Sequence, residues 1–318
     1  MGFWTRLFVA FAVLVAAPYY WLMIDSRTGA IAAHPIDIGR LRQVAQEMPG
    51  PRPVSIEYVP VAIRRAAGGA LVAGGGLKPD LIGVVAFRLV SPAGDIVIDS
   101  GMTRRSAQAA KFNQWSPQAQ ARVDQWMQRA RTIVFTHEHA DHVDGFLNSP
   151  RFAALAPKVI APVEQHTGML ALKPGARLAQ PLVYGDFAAV APGVVLLRTP
   201  GHTPGSQMIY VQLQNGREFL FTGDTASMQR NVTWQRPRSH LMSDWIMPEN
   251  RPATIAWIKG LGQLAARNPA LTLVYSHDLA WLSSSRGPGF HTDLPFPLTI
   301  ADRLDDDDAT PANKPVAP

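Results

Sequence analysis

The sequence predicts an α/β fold with largely buried sheets, and three observations carry that prediction. Hydrophobic residues make up 47% of the 318 residues and charged residues only 17%, enough for a sizeable core. Segments with strand patterning alternate with segments of helical periodicity in both halves of the chain. No fixed-period repeat is visible, which sets aside solenoids and propellers.

The first element is LFVAFAVLVAAPYYWLMI, residues 7–24, uncharged over 18 residues between Arg6 and Asp25. Its length is at the lower limit for a membrane-spanning helix. A cleaved signal peptide is the rival reading, because VAFAVLVAA has the character of an h-region. Pro18 directly after Ala16 and Ala17 is a poor cleavage context. Tyr19, Tyr20 and Trp21 fall where an interfacial aromatic belt would lie. The sequence therefore favours residues 1–26 as an uncleaved single-helix anchor, with an exported soluble protein as the alternative. Arg6 and the amino terminus precede the apolar run, which would place the rest of the chain on the non-cytoplasmic, periplasmic side.

Residues 27–53 read as a linker with one short helix around IDIGRLRQVAQEM, stopped by PGPRP. VSIEYVPVAI (54–63) reads as a strand and AAGGALVAGGG (66–76) as a flexible turn region. LIGVVAFRLV (81–90) and DIVIDSG (95–101) form a hairpin pattern around SPAG. Residues 116–131 read as a helix, with Ser116 as cap and Pro117 in the first turn. TIVFT (132–136) is a short buried strand. After it come a helical segment, a strand at KVIAP (158–162), a helical stretch near 163–171, and strands at 194–200, 207–213 and 218–224. Residues 250–268 read as a helix and LTLVYSHD (271–278) as a strand. A main domain over 54–300 would end in an acidic, Pro-rich tail, 301–318, of disordered composition.

The chain has no cysteine, so a metal site would use His, Asp or Glu. The formal charge of +6 is spread along the chain without basic runs, which argues against a nucleic-acid partner. THEHADH, from residue 136, places His137, His139, Asp141 and His142 directly after a strand. This is not the helical HExxH pattern, because Asp141 stands four residues after His137. Spacing of two suits a loop at a strand end, from which side chains splay towards two metals. A solvated polar loop is the bland alternative. Three later stretches weigh against it: TPGHTPGS with His202, FTGDTAS with Asp224, and YSHD with His277, each at the end of a strand. His34, His166, His240 and His291 fall outside the pattern and read as structural or surface. Glu138 reads as surface or loop packing.

Together with DSG at 99–101, this ordered series resembles that of metallo-β-lactamase-fold hydrolases, across roughly residues 54–285. The resemblance implies an αββα sandwich with a dinuclear metal site at one edge. It implies that His137, His139 and His202 hold one metal, that Asp141, His142 and His277 hold the second, and that Asp224 bridges them. Asp99 would support the ligand loop. Imidazole and carboxylate ligands suit two divalent ions, zinc first, with iron or manganese as alternatives. In such enzymes a metal-bridging hydroxide attacks a carbonyl, and Asp141 is the group placed to orient it or pass a proton.

SHD at the last ligand, DSGM, and VAPGVVLLRTPGHTPGSQMIYV resemble the N-acyl-homoserine lactonase branch. Only 52 residues separate Asp224 from His277, too few for the inserted domain of the nucleic-acid-cleaving branch. One departure stands out. The lactonases carry a Tyr three residues past the bridging Asp, whereas Ser227 and Met228 stand here. In the irregular segment 228–249, Trp234, Met242, Trp245 and Met247 are candidates for an apolar pocket, as are Ser227 and Met228, with packing as loop core the alternative. Trp115 and Trp126 mark a second possible wall. The expectation is a metal-dependent hydrolase that opens a lactone or cleaves a related ester of small-molecule size. A thioester, β-lactam or phosphotriester substrate is the alternative within hydrolases. A redox or non-catalytic metal-binding protein is the alternative outside them.

Overall fold

Two sheets carry the molecule, and the computed structural model describes residues 2–284 and 287–292 of it. The first sheet holds β1 (Ser55–Ala67), β2 (Pro79–Val90), β3 (Ile96–Ile98), β4 (Gln114–Trp115), β5 (Thr132–Val134) and β6 (Val159–Ile160), in the order β4-β1-β2-β3-β5-β6. The second holds β7 (Phe187–Ala191), β8 (Val194–Arg198), β9 (Gln207–Gln212), β10 (Glu218–Gly223) and β11 (Leu271–Tyr275), in the order β11-β10-β9-β8-β7.

The period-2 alternation of the strands decides the layering. Ile56 and Tyr58 of β1, Phe87 and Leu89 of β2, and Ile96 and Ile98 of β3 meet Leu196, Ile209, Val211, Phe219 and Phe221 of the other sheet in one core. Phe87 and Phe221 touch across it edge to face, with ring centroids 4.9 Å apart. The intervening residues Val59, Ala86, Val97 and Ile133 point outward, under the helices Pro117–Arg129 and Ala140–Leu147. On the far side Val195, Leu197, Met208, Tyr210 and Leu273 lie under the helices Ile38–Val44 and Arg251–Arg267. The result is a helix–sheet–sheet–helix sandwich.

Strand direction sets where the site can be. β3 and β5 are parallel, as are β10 and β11, and β8 runs with β10 because both are antiparallel to β9. The loops that leave their carboxyl ends carry Asp99, His137, His202, Asp224 and His277, and converge at one edge of the sandwich.

The helix at 117–129 starts where the sequence places it, with the Ser116 hydroxyl accepting from the Ala119 N–H at 3.1 Å. Such a cap contributes about 1 kcal/mol. Two segments differ from their sequence reading. The glycine-rich stretch after β1 is a packed helical turn, Gly68–Leu71, and not an open loop. A Cβ on Gly75 would sit 2.6 Å from the Gly68 carbonyl oxygen, so glycine here allows close approach of backbone to backbone. The segment read as a linker lies on the body: Leu41 and Val44 join the outer core, and His34 stacks on Trp257 at 3.6 Å.

The apolar amino-terminal run forms the helix Phe3–Tyr19, which continues through a wider turn to Ile24. Among the described residues it is the one helix long and apolar enough to cross a membrane, 22 residues with mean hydropathy 2.1, and none of its apolar window is buried. The tail 301–318, and the domain end placed at 300, lie outside the described residues.

Candidate metal centre

His137 and His139 follow β5 in a loop that ends with His139 as N-cap of the helix Ala140–Leu147. Asp141 lies in the first turn of that helix, where the helix dipole favours a carboxylate. The loop is held from below by Asp99, whose carboxylate accepts from the Thr136 N–H at 2.8 Å and from the Thr136 hydroxyl at 3.0 Å. Asp99 adopts φ 61°, a left-handed conformation costly for a non-glycine residue and common where a side chain must be aimed.

Three imidazole nitrogens meet at one point. His139 Nδ1 lies 3.1 Å from His137 Nε2 and 3.0 Å from His202 Nε2. Donors bound tetrahedrally to zinc at about 2.0–2.1 Å would lie about 3.3 Å apart, close to this spacing. Asp141, His142 and His277 form a second group, with His277 Nε2 3.5 Å and His142 Nε2 3.7 Å from Asp141 Oδ2. Asp224 stands between the groups: Oδ1 lies 3.0 Å from His277 Nε2, and Oδ2 lies 3.6 Å from His202 Nε2.

The other ring nitrogens are fixed by partners outside the cluster. His142 Nδ1 donates to Asp99 at 2.8 Å, His202 Nδ1 to Glu249 at 2.8 Å, and His277 Nδ1 to the Gly83 carbonyl at 2.7 Å. With the proton on Nδ1, each Nε2 presents a lone pair to the site. His142 Nε2 is buried without a hydrogen-bond partner, as a ligand atom awaiting a cation would be.

The electrostatics agree with that arrangement. Burial, and then the neighbouring imidazoles, hold His137 well below its ordinary value. Burial, and then His202, bring His139 down to about 4. Burial, and then Arg238, lower His202. This group is therefore neutral and ready to ligate. At the other end burial works against charge on His142 and His277, yet the carboxylates prevail. Asp99 and Asp141 raise His142 to about 10, and Asp224 raises His277. Three buried or half-buried carboxylates at this end demand cations, either protons or metal ions. The donor set fits two divalent ions on both geometry and charge.

Two residues that the sequence reading did not single out complete the arrangement. The Arg238 guanidinium, nearly fully buried, donates to Asp224 Oδ2 at 2.8 Å, to Glu249 Oε2 at 2.9 Å and to the Ser227 hydroxyl at 2.5 Å. Glu249 orients His202. Both come from the aperiodic segment 228–249, where no local pattern marks them. Glu138 is buried and accepts from the Thr203 hydroxyl at 2.8 Å and the Gly205 N–H at 3.1 Å, bracing the His202 loop.

A cavity of about 560 Å3 opens onto His139, Asp141, Asp224 and His277. Its walls are mainly apolar: Leu71, Met102, Phe112, Met242, Ile246 and Met247, with Leu172 at the rim. Arg64 and Arg238 are its two cationic wall residues. Of the sequence candidates for a pocket, Met242 and Met247 line this cavity, whereas Ser227, Met228, Trp234 and Trp245 are not among its lining residues. Ser227 is taken up by Arg238, and Met228 packs behind the wall against Leu71, Val72 and Ile82. Trp234 lies within 5.3 Å of both the Arg230 and Arg236 guanidinium groups, and Trp245 is 69% exposed. Trp126 lies in the helix-covered core, and Trp115 donates its Nε1–H to the Met102 carbonyl at 2.8 Å.

The helix–sheet–sheet–helix layering and this cluster define a family. The metallo-beta-lactamase superfamily model matches residues 80–277, more than half of the chain, and the chain belongs to that superfamily. Similar proteins within it include an N-acyl homoserine lactonase of Bacillus sp, 32% identical over 108 residues. That match covers 33% of this chain and 42% of the relative. An N-acyl homoserine lactonase of Bacillus thuringiensis is 30% identical over the same shares of each chain. The chain thus spans less than half the length of these relatives. Among solved structures, a quorum-quenching N-acyl homoserine lactone lactonase superposes with a TM-score of 0.58 at 18% identity, over 75% of this chain and 98% of that one. An N-acyl homoserine lactone hydrolase with the product N-hexanoyl-L-homoserine at its catalytic metal centre gives 0.57 at 18% identity, over 74% and 98%. These structural likenesses establish the fold.

Proposed function

We propose that the protein is a metal-dependent hydrolase that opens a lactone or cleaves a related ester, tethered to a membrane by residues 1–26 with its catalytic domain on the non-cytoplasmic side. One observation carries the reading: seven side chains that follow the ends of four strands converge so that Asp224 reaches both a three-imidazole group and an Asp–His–His group. In this reading His137, His139 and His202 hold one divalent ion, and Asp141, His142 and His277 the other. Zinc is the metal that a set of imidazole and carboxylate donors suits first, with iron or manganese as alternatives. Divalent ions held by these residues would lower the pKa of a water to about 7 and polarise the substrate carbonyl.

The chain's own residues do the rest. Asp141 keeps 21% side-chain exposure and opens onto the cavity. It orients the attacking water, takes its proton, and returns a proton to the alkoxide as the ester C–O bond breaks. Arg238 fixes Asp224 and Glu249, and through Glu249 the ring of His202. The apolar walls exclude bulk water and receive an acyl chain. Similarity to lactonases supports the substrate class. Ser227 in place of their Tyr supports a second reading, another carbonyl substrate such as a thioester or β-lactam on the same site.

A panel of lactones, thioesters, β-lactams and phosphotriesters separates the readings. The expected result is lactone turnover lost to chelator and restored by zinc. Asp141→Asn should lower kcat by about 100-fold or more with little change in melting temperature. Turnover confined to another class on the panel, or full activity in Asp141→Asn, would refute the lactone reading or the role of Asp141 respectively.

A further inference from the structure

The apolar helix meets the body beside the mouth of the cavity. Trp21 stacks on His240 with centroids 4.9 Å apart and planes 16° apart. The Met23 carbonyl accepts from the Gly74 N–H at 2.9 Å, and Asp25 is buried. The two segments that receive this junction are tied together, with the Ala73 N–H donating to the Pro237 carbonyl at 2.8 Å. The same two segments supply Leu71, Met242, Ile246 and Met247 to the cavity wall.

The rim is apolar and uncovered. Ile246 lines the cavity yet is 57% exposed, and Leu172, on the cavity's helix 163–172 side, is 50% exposed. Trp245, next to Ile246, is 69% exposed, and Tyr20 and Trp21 at the base of the apolar helix are 49% and 42% exposed. Aromatic and aliphatic side chains gathered at the end of a membrane-length helix suit the headgroup boundary of a bilayer.

We propose that the cavity mouth faces the bilayer that holds the amino-terminal helix, and that the substrate is a long-chain acylated lactone or ester drawn from that bilayer, its chain entering past Ile246 and Leu172. This rests on the hydrolase and anchor readings above. The reactive ring or ester carbonyl then reaches the ligand cluster while the chain never leaves apolar surroundings. Addition of water breaks the ester C–O bond and leaves a hydroxyl and a carboxylate, with one proton released to solvent. The product is more polar than the substrate and departs towards water.

The chain has no cysteine, so a single introduced one takes a spin label uniquely. Full-length Trp245→Cys, Ile246→Cys and Val183→Cys would be placed in phosphatidylcholine–phosphatidylglycerol vesicles, and label depth read from oxygen and nickel-chelate accessibility. Val183, 83% exposed beside the β6 edge, serves as the aqueous control. Labels at 245 and 246 should be reached by oxygen and shielded from nickel, and the label at 183 reached by nickel. Water-exposed labels at both 245 and 246 would overturn the proposal. Turnover adds a second readout. Trp245→Ser should lower kcat/KM about tenfold for N-dodecanoyl homoserine lactone held in vesicles, and leave soluble N-butanoyl homoserine lactone within about twofold. Equal effects on the two substrates would count against membrane delivery. Lipid-facing labels without turnover of either lactone would sustain the surface and sink only the lactone reading.

Discussion

Asp224 and Glu249 are joined by one guanidinium, and this link separates two kinds of residue in the site. Asp224 touches both groups of the cluster, whereas Glu249 stands behind it, holding the Nδ1–H of His202 and the Arg238 guanidinium. Glu249→Gln preserves volume but weakens the charge-assisted hold on that ring. Zinc affinity should fall about 10- to 100-fold with both ions still able to bind, the usual effect of losing a partner behind a ligand. Zinc competition titration checks this; unchanged affinity would mean that His202 needs no orienting partner. The convergence of His137, His139, Asp141, His142, His202, Asp224 and His277 is legible in the sequence because each sits in a short run at a strand end, with spacing that a few residues define. Glu249 and Arg238 were not, because their contacts are made across 47 and 14 residues of chain with no repeating pattern between. Trp234 and Trp245 show the converse. Their composition suggested a pocket, but whether an aromatic faces inward depends on packing that one irregular segment does not reveal.

At the scale of elements, the strands and long helices follow the hydrophobic period: Pro117–Arg129 starts at the Ser116 cap its sequence announces, and Arg251–Arg267 fills the stretch 250–268 read as helical. What the local pattern does not show is where an element docks. The helix Ile38–Val44 falls within the stretch read as helical, yet its docking on the body rests on contacts far along the chain. Arg42 on it donates to Glu218 at the start of β10, from Nε at 2.7 Å and Nη2 at 2.6 Å. This pairing outweighs burial and holds the Glu218 carboxyl below its ordinary value of 4.5. A carboxyl lowered by folding stabilises the fold above its unfolded value, and that contribution is lost as pH falls through the folded value. Arg42→Met should therefore destabilise the protein by about 1 kcal/mol near pH 7, and the difference from wild type should shrink below about pH 4. Urea melts across pH 3–7 check this. A difference that stays constant with pH would assign the effect to packing of the Arg42 stem instead.

For the whole molecule, the apolar helix is tied to the body through its last turn and the residues that follow. Trp21, Met23 and Asp25 dock on the 68–76 and 236–251 segments. A chain starting at residue 20 should therefore melt several degrees above one starting at residue 27, as expected for about 1–2 kcal/mol of lost contacts. Equal melting temperatures would show that the docked turn contributes nothing. In the proposed function, seven side chains at one edge of the sandwich hold two metal ions for hydrolysis. Elemental analysis of the full-length protein and of Asp224→Ala, each assayed in parallel on the lactone panel, tests it most directly. Close to two metals per chain are expected in the wild type, with metal and turnover lost together in Asp224→Ala. A wild-type chain that takes up no metal after incubation with zinc, iron or manganese, or an Asp224→Ala variant that keeps both ions, would contradict it.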